Sequence, residues 1–297
     1  MLESWIFWAL LAAVMQSVRT AGQKYLTGHI TVLGATLVRY LFGLPFALVY
    51  LFWLLNREGS FLPDLNLVFV VSAATAGGCQ IVATILLIQL FTLRNFAVGG
   101  TYVRSEILIT AIVGAVFFAE VVSLLGWFAI GLSFAGLLVI SLGRSWKLKT
   151  LWNRSAAYGL AAGTLFALTS LLIRKASLSL GIDGAMLPAA ITLVFMVSLQ
   201  TVLTFVWVAI RDAKEIRLIV EHWRPAMFVG LTSVIGSAGW FTAFTLERAA
   251  YVKTLGQVEF LMTLAIAVFY FHERPTKPEM IGMLLIIVGV VVLLLSP

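Results

Sequence analysis

Five charged side chains interrupt stretches of sequence that are otherwise apolar. Glu106 and Glu259 lie near the middle of two such stretches, and Arg19, Arg39 and Arg104 lie about two turns or more inside theirs. Charges placed inside an apolar bundle are costly, and they commonly mark substrate or proton pathways. Arginine binds a carboxylate or phosphate through two parallel hydrogen bonds, and a buried carboxyl group can carry a proton. These residue types predict a binding site for an anionic or zwitterionic compound, with proton coupling by Glu259 or Glu106.

Structural roles are the alternative for the same side chains. Each arginine could extend its long side chain to the lipid headgroups, which a glutamate at the middle of a bilayer cannot do. Each glutamate could instead form a purely structural pair with an arginine. Glu106 shares its helix with Arg104 and is predicted to be the fixed partner of an arginine. Glu259 has only Lys253 in reach along its own helix, and it is therefore predicted to be the proton carrier.

The composition places these charges in a membrane protein. Of the 297 residues, 61% are hydrophobic and only 11% are charged, whereas soluble domains carry about 25% charged residues. The net charge of +7 comes from dispersed lysines and arginines, which favours contact with lipid headgroups over nucleic acid binding. The single cysteine, Cys79, excludes an intramolecular disulfide and a cysteine-based zinc site. Three widely separated histidines make another metal site improbable, and we expect no metal or cofactor.

Apolar stretches long enough to span a membrane recur along the whole chain. About 20 apolar residues are needed for one spanning helix, and continuous apolar runs exclude the alternating pattern of a β-barrel. The first run follows Glu3 instead of basic residues, so we expect it to be retained and not cleaved as a signal peptide. We predict ten transmembrane helices, near residues 4–26, 31–55, 67–91, 96–118, 122–143, 156–179, 186–210, 225–246, 250–271 and 278–296.

An internal repeat divides these helices into two sets of five. At an offset of 153 residues, the stretch 91–136 aligns with 244–289 without a gap. Glu106 then falls on Glu259, and Glu120 falls on Glu273; both members of the latter pair, at helix ends, are expected to be solvated or to cap helices. We predict a first repeat over 1–143, a connecting loop over 144–155 and a second repeat over 156–297. Because five is odd, the second repeat enters the membrane from the opposite side, and the fold class is all-α with two inverted repeats.

The sequence resembles a known transporter family. The resemblance rests on the five-plus-five duplication, Arg39 in helix two, the segments FFAE at 117–120 and FHE at 271–273, and a glycine-bearing last helix. These features are similar to those of EamA-type transporters of the drug/metabolite transporter superfamily, and the similarity covers essentially the whole chain. Family members often carry proline near the middle of helix four, whereas this chain has Glu106 there and Glu259 at the matching position of the second half. The resemblance implies a ten-helix fold and a transport function.

Taken together, these features predict a secondary transporter that exports a small polar metabolite by alternating access, most simply an amino acid. Alternatives are an exchanger or flippase for phosphate-bearing metabolites or lipid-linked phosphates, a drug exporter and, remotely, a membrane-embedded enzyme. No phosphate-binding loop or soluble ATPase domain is evident, and we expect no catalytic activity, no nucleic acid partner and no ATPase subunit. The substrate is predicted to contact the following residues: Arg19, Arg39, Tyr40, Arg104, Glu106, Trp240, Gln257 and Glu259.

The orientation of the chain follows from its charged loops. Lysine and arginine concentrate in the loops at 144–155 and 211–224, and the positive-inside rule then places these loops in the cytoplasm and both termini outside. The family resemblance instead suggests cytoplasmic termini for many members. We expect a multi-pass protein of the bacterial inner membrane that is a monomer or a weak dimer.

Overall fold

The computed structural model of the protein describes residues 4–90, 102–142, 154–259 and 276–295. All regular structure in these ranges is helical, which confirms the predicted all-α class. The expected connection up to residue 153, the start of helix four and the course of helix nine after Glu259 lie outside the described residues. The helices are α1 (Trp5–Leu26), α2 (Val32–Leu41), α3 (Leu44–Glu58), α4 (Leu67–Leu90), α5 (Glu106–Phe117), α6 (Leu124–Leu142), α7 (Arg154–Ser179), α8 (Met186–Arg211), α9 (Lys214–Glu221), α10 (Trp223–Leu246), α11 (Ala249–Leu255) and α12 (Lys277–Leu294).

Six helical segments of the described chain are long and apolar enough to cross a membrane. They are Val32–Glu58, Leu67–Leu90, Arg154–Ser179, Met186–Arg211, Trp223–Leu246 and Lys277–Leu294. Two further apolar helices, α5 and α6, are shorter in their apolar parts. Helix α1 has 22 residues, but Gln16, Arg19 and Gln23 lower its hydropathy. Ten spanning helices are therefore not established by length and composition alone.

The predicted second helix, at 31–55, is divided into α2 and α3 at Phe42 and Gly43. Pro45 is the second residue of α3, and proline has no N–H with which to continue the hydrogen bonds of the preceding turn. Gly43 also lies against Gly230 and Val234 of α10, where an added Cβ atom would collide with the carbonyl oxygen of Arg39. The break between α2 and α3 thus lies where a backbone hydrogen bond is lost at Pro45 and where the chain crosses α10 closely.

The helices of one half pack mainly against helices of the other half, in matching pairs. The first helix of each half packs on the third span of the other half, as α1 packs on α10 and α7 packs on α4. The second spans pack on each other, because α2 and α3 both contact α8. The last helices, α6 and α12, also form a closely packed pair. Glycines allow close approach in two of these pairs, at Gly236 and Gly239 beside α1 and at Gly136 beside Gly282 of α12.

The chain turns gather at two opposite ends of the bundle, which we call the first end and the second end. At the first end, the turn at 27–31 meets the segment 212–222: the Thr31 N–H donates to Glu215 at 2.6 Å, and the His29 and His222 rings lie 4.7 Å apart between centroids. At the second end, the Asn66 amide donates to the Ser179 carbonyl at 2.6 Å. The antiparallel pairings of α1 with α10 and of α6 with α12 place the start of α1 and the end of α12 at the second end.

Glu120 and Arg174 fasten the turn between α10 and α11 at the second end. The Arg174 guanidinium donates to the carbonyl oxygens of Phe244 at 2.5 Å and Glu247 at 2.7 Å, at the carboxyl end of α10. Glu120 accepts from the Ala249 N–H at 3.2 Å, where α11 begins, and lies 3.3 Å from Arg174. Burial raises the pKa of Glu120, although Ala249 and Arg174 oppose that shift. Glu120 is only 8% exposed, and it caps the start of α11. It is therefore buried and not solvated.

Candidate functional site

A cavity of about 220 Å³ lies between the two halves of the bundle. Its walls come from α1, α2, α4, α5, α7, α10 and α11, together with the residues that flank α5 and α11. The cavity is lined by four cations and two carboxylates, a formal excess of two positive charges. Its principal polar and aromatic lining residues are Gln16, Arg19, Arg39, Gln80, Arg104, Glu106, Thr169, Ser170, Lys253, Gln257, Glu259, Phe166, Trp240, Phe241 and Phe244.

The structure brings seven of the eight predicted substrate-contacting residues to this cavity, and Tyr40 is the exception. Tyr40 is 1% exposed and lines a small void behind the wall, beside Gln200 and Ser233. Its hydroxyl has no hydrogen-bond partner among the described residues. The guanidinium of Arg39 lies 5.3 Å from the centre of the Tyr40 ring. Tyr40 thus stands next to a cavity-lining arginine, but it does not reach the cavity itself.

Two interrupted helices meet the cavity at equivalent positions of the repeat. Residues 102 and 103 are helical, a turn follows at Arg104 and Ser105, and α5 begins at Glu106. In the second half α11 ends at Leu255, and a turn at Gly256 and Gln257 precedes two helical residues. At both places a backbone N–H donates a hydrogen bond to the carbonyl oxygen three residues earlier. The Ile107 N–H donates to Arg104 at 3.3 Å, and the Glu259 N–H donates to Gly256 at 3.1 Å. The sequence predicted continuous helices here.

Glu106 forms an ion pair at the wall of the cavity with Lys253 of the other repeat. The Lys253 Nζ atom lies 2.5 Å from the Glu106 Oε1 atom. The Lys253 side chain is 15% exposed and the Glu106 side chain is 16% exposed. The same ammonium lies 4.9 Å from the Trp240 ring centre and 5.5 Å from that of Phe244. Glu106 was predicted to be the fixed partner of an arginine. Its shortest ion pair is with lysine, although Arg104 also interacts with it electrostatically.

Glu259 is bound by a side chain of the first repeat. The Gln16 amide nitrogen donates to Glu259 at 3.1 Å, and the Gln16 carbonyl oxygen accepts from the Trp240 indole N–H at 3.0 Å. Glu259 also interacts electrostatically with Arg104, Arg19 and Lys253. The prediction named Lys253 as the cation in reach of Glu259 along its own helix, and the structure adds two arginines to it. The two arginines reach it from other helices, a relationship that spacing along one helix does not show.

The arginines differ in how they are held. Arg39 is 5% exposed and donates to the Thr84 hydroxyl of α4 at 3.1 Å. Arg19 is 7% exposed, and its Nε atom has no hydrogen-bond partner among the described residues. Arg19 interacts favourably with Glu259 and unfavourably with Arg39. Two guanidinium groups that repel each other at a cavity wall create a local field that favours an anion between or beside them.

Gln16 and Thr84 were not predicted to take part in the site. A signal for Gln16 exists in the sequence, because Gln16, Arg19 and Gln23 are spaced by three and seven residues and so share one face of α1. Thr84 carries no such signal, since it is an ordinary polar residue in an apolar helix. Within the described ranges, no group of three or more His, Cys, Asp or Glu side chains could hold a metal ion.

Comparisons with known proteins agree with this architecture. A model described as the EamA-like transporter family matches the chain twice, over residues 3–142 and 153–295. An uncharacterised protein of Methanocaldococcus jannaschii, MJ1333.1, is 32% identical over 71 residues, which are 24% of this chain and 52% of that protein. The chain thus spans about half the length of that curated relative. A solved structure described as "Crystal structure of protein" has a TM-score of 0.73 at 15% identity, covering 99% of this chain and 97% of the other. At this identity the likeness shows the fold alone.

Proposed function

The chain belongs to the EamA-like transporter family, and we propose that this membrane transporter is a secondary transporter of a small anionic or zwitterionic metabolite, such as an amino acid. The observation that carries the proposal is the charge of the cavity. Four cations and two carboxylates line one cavity between the halves. An anion compensates the positive excess, while the carboxylates offer partners for an amine.

The size of the cavity supports a small substrate. Its volume is about 220 Å³, whereas an engineered apolar cavity of about 150 Å³ accommodates benzene. Pockets for drug-sized ligands occupy about 300–1,000 Å³. A compound with the dimensions of an amino acid is the better match, and drug-sized or lipid-linked substrates would require the cavity to expand.

We further propose that the two repeats are inverted and move against each other during transport. The exchange of partners between α1 with α10 and α7 with α4 is the packing expected of halves related by a pseudo-twofold axis. Two helices are interrupted where they line the cavity, and interrupted helices are a common feature of substrate sites in secondary transporters. The proposal places the substrate between Arg19 and Arg39 on one side and the Glu106–Lys253 pair on the other.

Proton coupling by Glu259 completes the proposed mechanism. The substrate anion and the Glu259 carboxylate would compete for Arg19 and Arg104, which both interact with Glu259. A carboxylate that loses its cationic neighbours in a cavity of low dielectric takes up a proton. Binding of the anion would then be linked to protonation of Glu259, so a proton gradient could drive accumulation of substrate.

Transport by the purified protein in liposomes tests the proposed function. Radiolabelled glutamate, alanine, lysine, succinate and a sugar phosphate would be measured in counterflow, which reports translocation in either direction. We expect counterflow of at least one anionic or zwitterionic probe, and its loss in the Arg39→Ala variant. Transport of cations alone, or movement of lipid without any solute, would contradict the proposal. Counterflow of the sugar phosphate alone would instead support the alternative of a phosphate exchanger.

A further inference from the structure

Three side chains surround the ammonium group of Lys253. The Glu106 carboxylate lies 2.5 Å from it, and the ring centres of Trp240 and Phe244 lie 4.9 Å and 5.5 Å away. The two rings stack with centroids 5.7 Å apart and planes 17° from parallel, so they form one aromatic wall. A carboxylate opposite an aromatic wall has the chemistry that recognises a primary ammonium ion.

These three side chains belong to other helices than Lys253 itself. Glu106 begins α5, while Trp240 and Phe244 lie four residues apart on one face of α10. The Trp240 ring is held by its hydrogen bond to Gln16, and Phe244 is 2% exposed within the core. The site is therefore built by the rest of the bundle, and Lys253 of α11 occupies it from the side.

We propose that this site receives the ammonium group of an amine-bearing substrate, and that Lys253 occupies it as a tethered competitor when substrate is absent. The inference rests on the proposed function, because it assigns the cation site of the same cavity. The substrate's anionic group would then face Arg19 and Arg39. A primary amine that also carries a carboxylate or phosphate is the class of ligand that uses both sites.

Glu106 keeps a cationic partner when Lys253 is displaced. Lys253 forms the ion pair with Glu106 when substrate is absent, and the ammonium group of the substrate then takes its place. A zwitterion adds no net charge to the cavity. This exchange of cations beside Glu106 keeps the electrostatic cost of displacing Lys253 low.

Chemical rescue tests the cation site without any transport measurement. Lys253→Ala removes the tethered ammonium, and n-propylammonium replaces the missing part of the side chain and its charge. We expect n-propylammonium at concentrations well above its Kd to raise the thermal unfolding midpoint of the purified variant by at least about 3 °C. The wild type, whose site is filled, and the double variant Lys253→Ala, Glu106→Gln should show a much smaller shift. The uncharged isostere n-propanol should stabilise none of the three proteins.

Equal shifts in the three proteins, or no shift in a monodisperse Lys253→Ala variant, would overturn the assignment. If that variant is not recovered folded, Lys253→Met retains most of the side chain volume, and methylammonium serves as its probe. A rise in the thermal midpoint of Lys253→Met alone would support the assignment, and no rise would overturn it.

Transport separates this inference from the proposed function. In the Lys253→Met variant we expect the apparent KM for an amine-bearing substrate such as glutamate to fall about tenfold, a change equivalent to 1.4 kcal/mol. The KM for the matched compound without the amine, glutarate, should not fall. If both compounds are transported but neither the rescue nor the selective fall in KM occurs, the inference fails while the proposed function stands. If rescue occurs without transport of any solute, the cation site stands and the proposed function fails.

Discussion

Glu106 and Glu259 are equivalent residues of the two repeats, and each is bound by a side chain of the opposite repeat. Glu106 pairs with Lys253 at 2.5 Å, and Glu259 accepts a hydrogen bond from Gln16 at 3.1 Å. Both links join the two halves at the wall of the cavity. A movement of one half against the other would have to lengthen or exchange these contacts, so the two carboxylates are suitably placed to link binding with movement.

Replacing each carboxylate by its neutral isostere distinguishes their functions. Glu259→Gln cannot release a proton, so we expect this variant to keep substrate counterflow but to lose accumulation driven by a pH gradient. Glu106→Gln is the matched control at the equivalent position of the other repeat. It should keep the pH dependence and lose affinity for an amine-bearing substrate, because the proposed ammonium site loses its carboxylate.

The comparison is made in the same liposomes, with counterflow and gradient-driven uptake measured side by side. Accumulation by Glu259→Gln with an unchanged pH dependence would contradict its assignment as proton carrier. Loss of pH-driven uptake in Glu106→Gln alone would transfer that function to Glu106.

Arginine geometry is expected to matter as well as arginine charge. Arg39→Ala and Arg104→Ala should abolish transport while the proteins remain monodisperse in detergent. Arg39→Lys and Arg104→Lys should lower kcat/KM about tenfold or more, because an ammonium cannot form the two parallel bonds of a guanidinium. Thr84→Val is a matched variant that keeps the Arg39 charge and removes its 3.1 Å hydrogen bond. The fall in kcat/KM should be smaller in this variant, roughly fivefold, which corresponds to about 1 kcal/mol. Loss of folding in both alanine variants would support structural arginines instead.

The identity of the site residues was predictable because charges are rare in apolar helices. Glu106, Glu259 and three arginines stood out for that reason, and the offset of 153 residues aligned the two glutamates. Their partners were not predictable from spacing along a single helix. Arg19 and Arg104 act on Glu259 from other helices, and only the packing of the two halves determines which side chains meet.

Backbone interruptions were the other feature that the sequence did not predict. At Pro45 the residue type contains the signal, since proline cannot continue a helix without a lost bond. At Arg104 and Ser105 no proline or glycine stands in the turn, and the chain uses bonds over three residues instead. Such a turn gains its stability from tertiary contacts, as at Gly163, which lies against the backbone of Tyr102 and Val103.

The orientation of the protein follows from the charges at its two ends. The first end carries Lys24, Arg211, Lys214, Arg217 and Arg224, whereas the second end carries Arg57, Lys175 and Arg248 in addition to the internally bonded Arg174. The positive-inside rule then predicts that the first end lies in the cytoplasm. We expect alkaline phosphatase fused to the carboxyl terminus to be active and green fluorescent protein at the same position to be dark. The reverse pattern would show cytoplasmic termini, as the family resemblance suggested.

Two glycines of α6 test the close packing of the last helices. An added Cβ atom at Gly136 would collide with the carbonyl oxygen of Gly282 and with Ile286 of α12, whereas at Gly131 it would meet no atom of the described chain within 4 Å. Gly136→Ala should therefore destabilise the protein by about 1–3 kcal/mol. Gly131→Ala should be neutral or stabilise it by up to about 0.8 kcal/mol, because alanine favours the helix. Thermal unfolding in detergent measures both, and equal midpoints would contradict the crossing described.

Glu120 makes a distinct contribution to stability as the pH changes. Because burial raises the pKa of Glu120, the folded protein binds this proton more tightly than the unfolded chain does. Its contribution to the free energy of unfolding is therefore fully present below the ordinary pKa of a glutamate, about 4.3, and is lost as the pH rises through the raised value.

Glu120→Gln keeps an acceptor for the Ala249 N–H but has no proton to lose, so its thermal midpoint should fall less than that of the wild type between about pH 4 and pH 7. Glu120→Ala leaves that N–H without its acceptor, and it should cost about 1–3 kcal/mol throughout the range. Parallel midpoint curves for the wild type and Glu120→Gln would show that Glu120 is not the group responsible for this pH dependence.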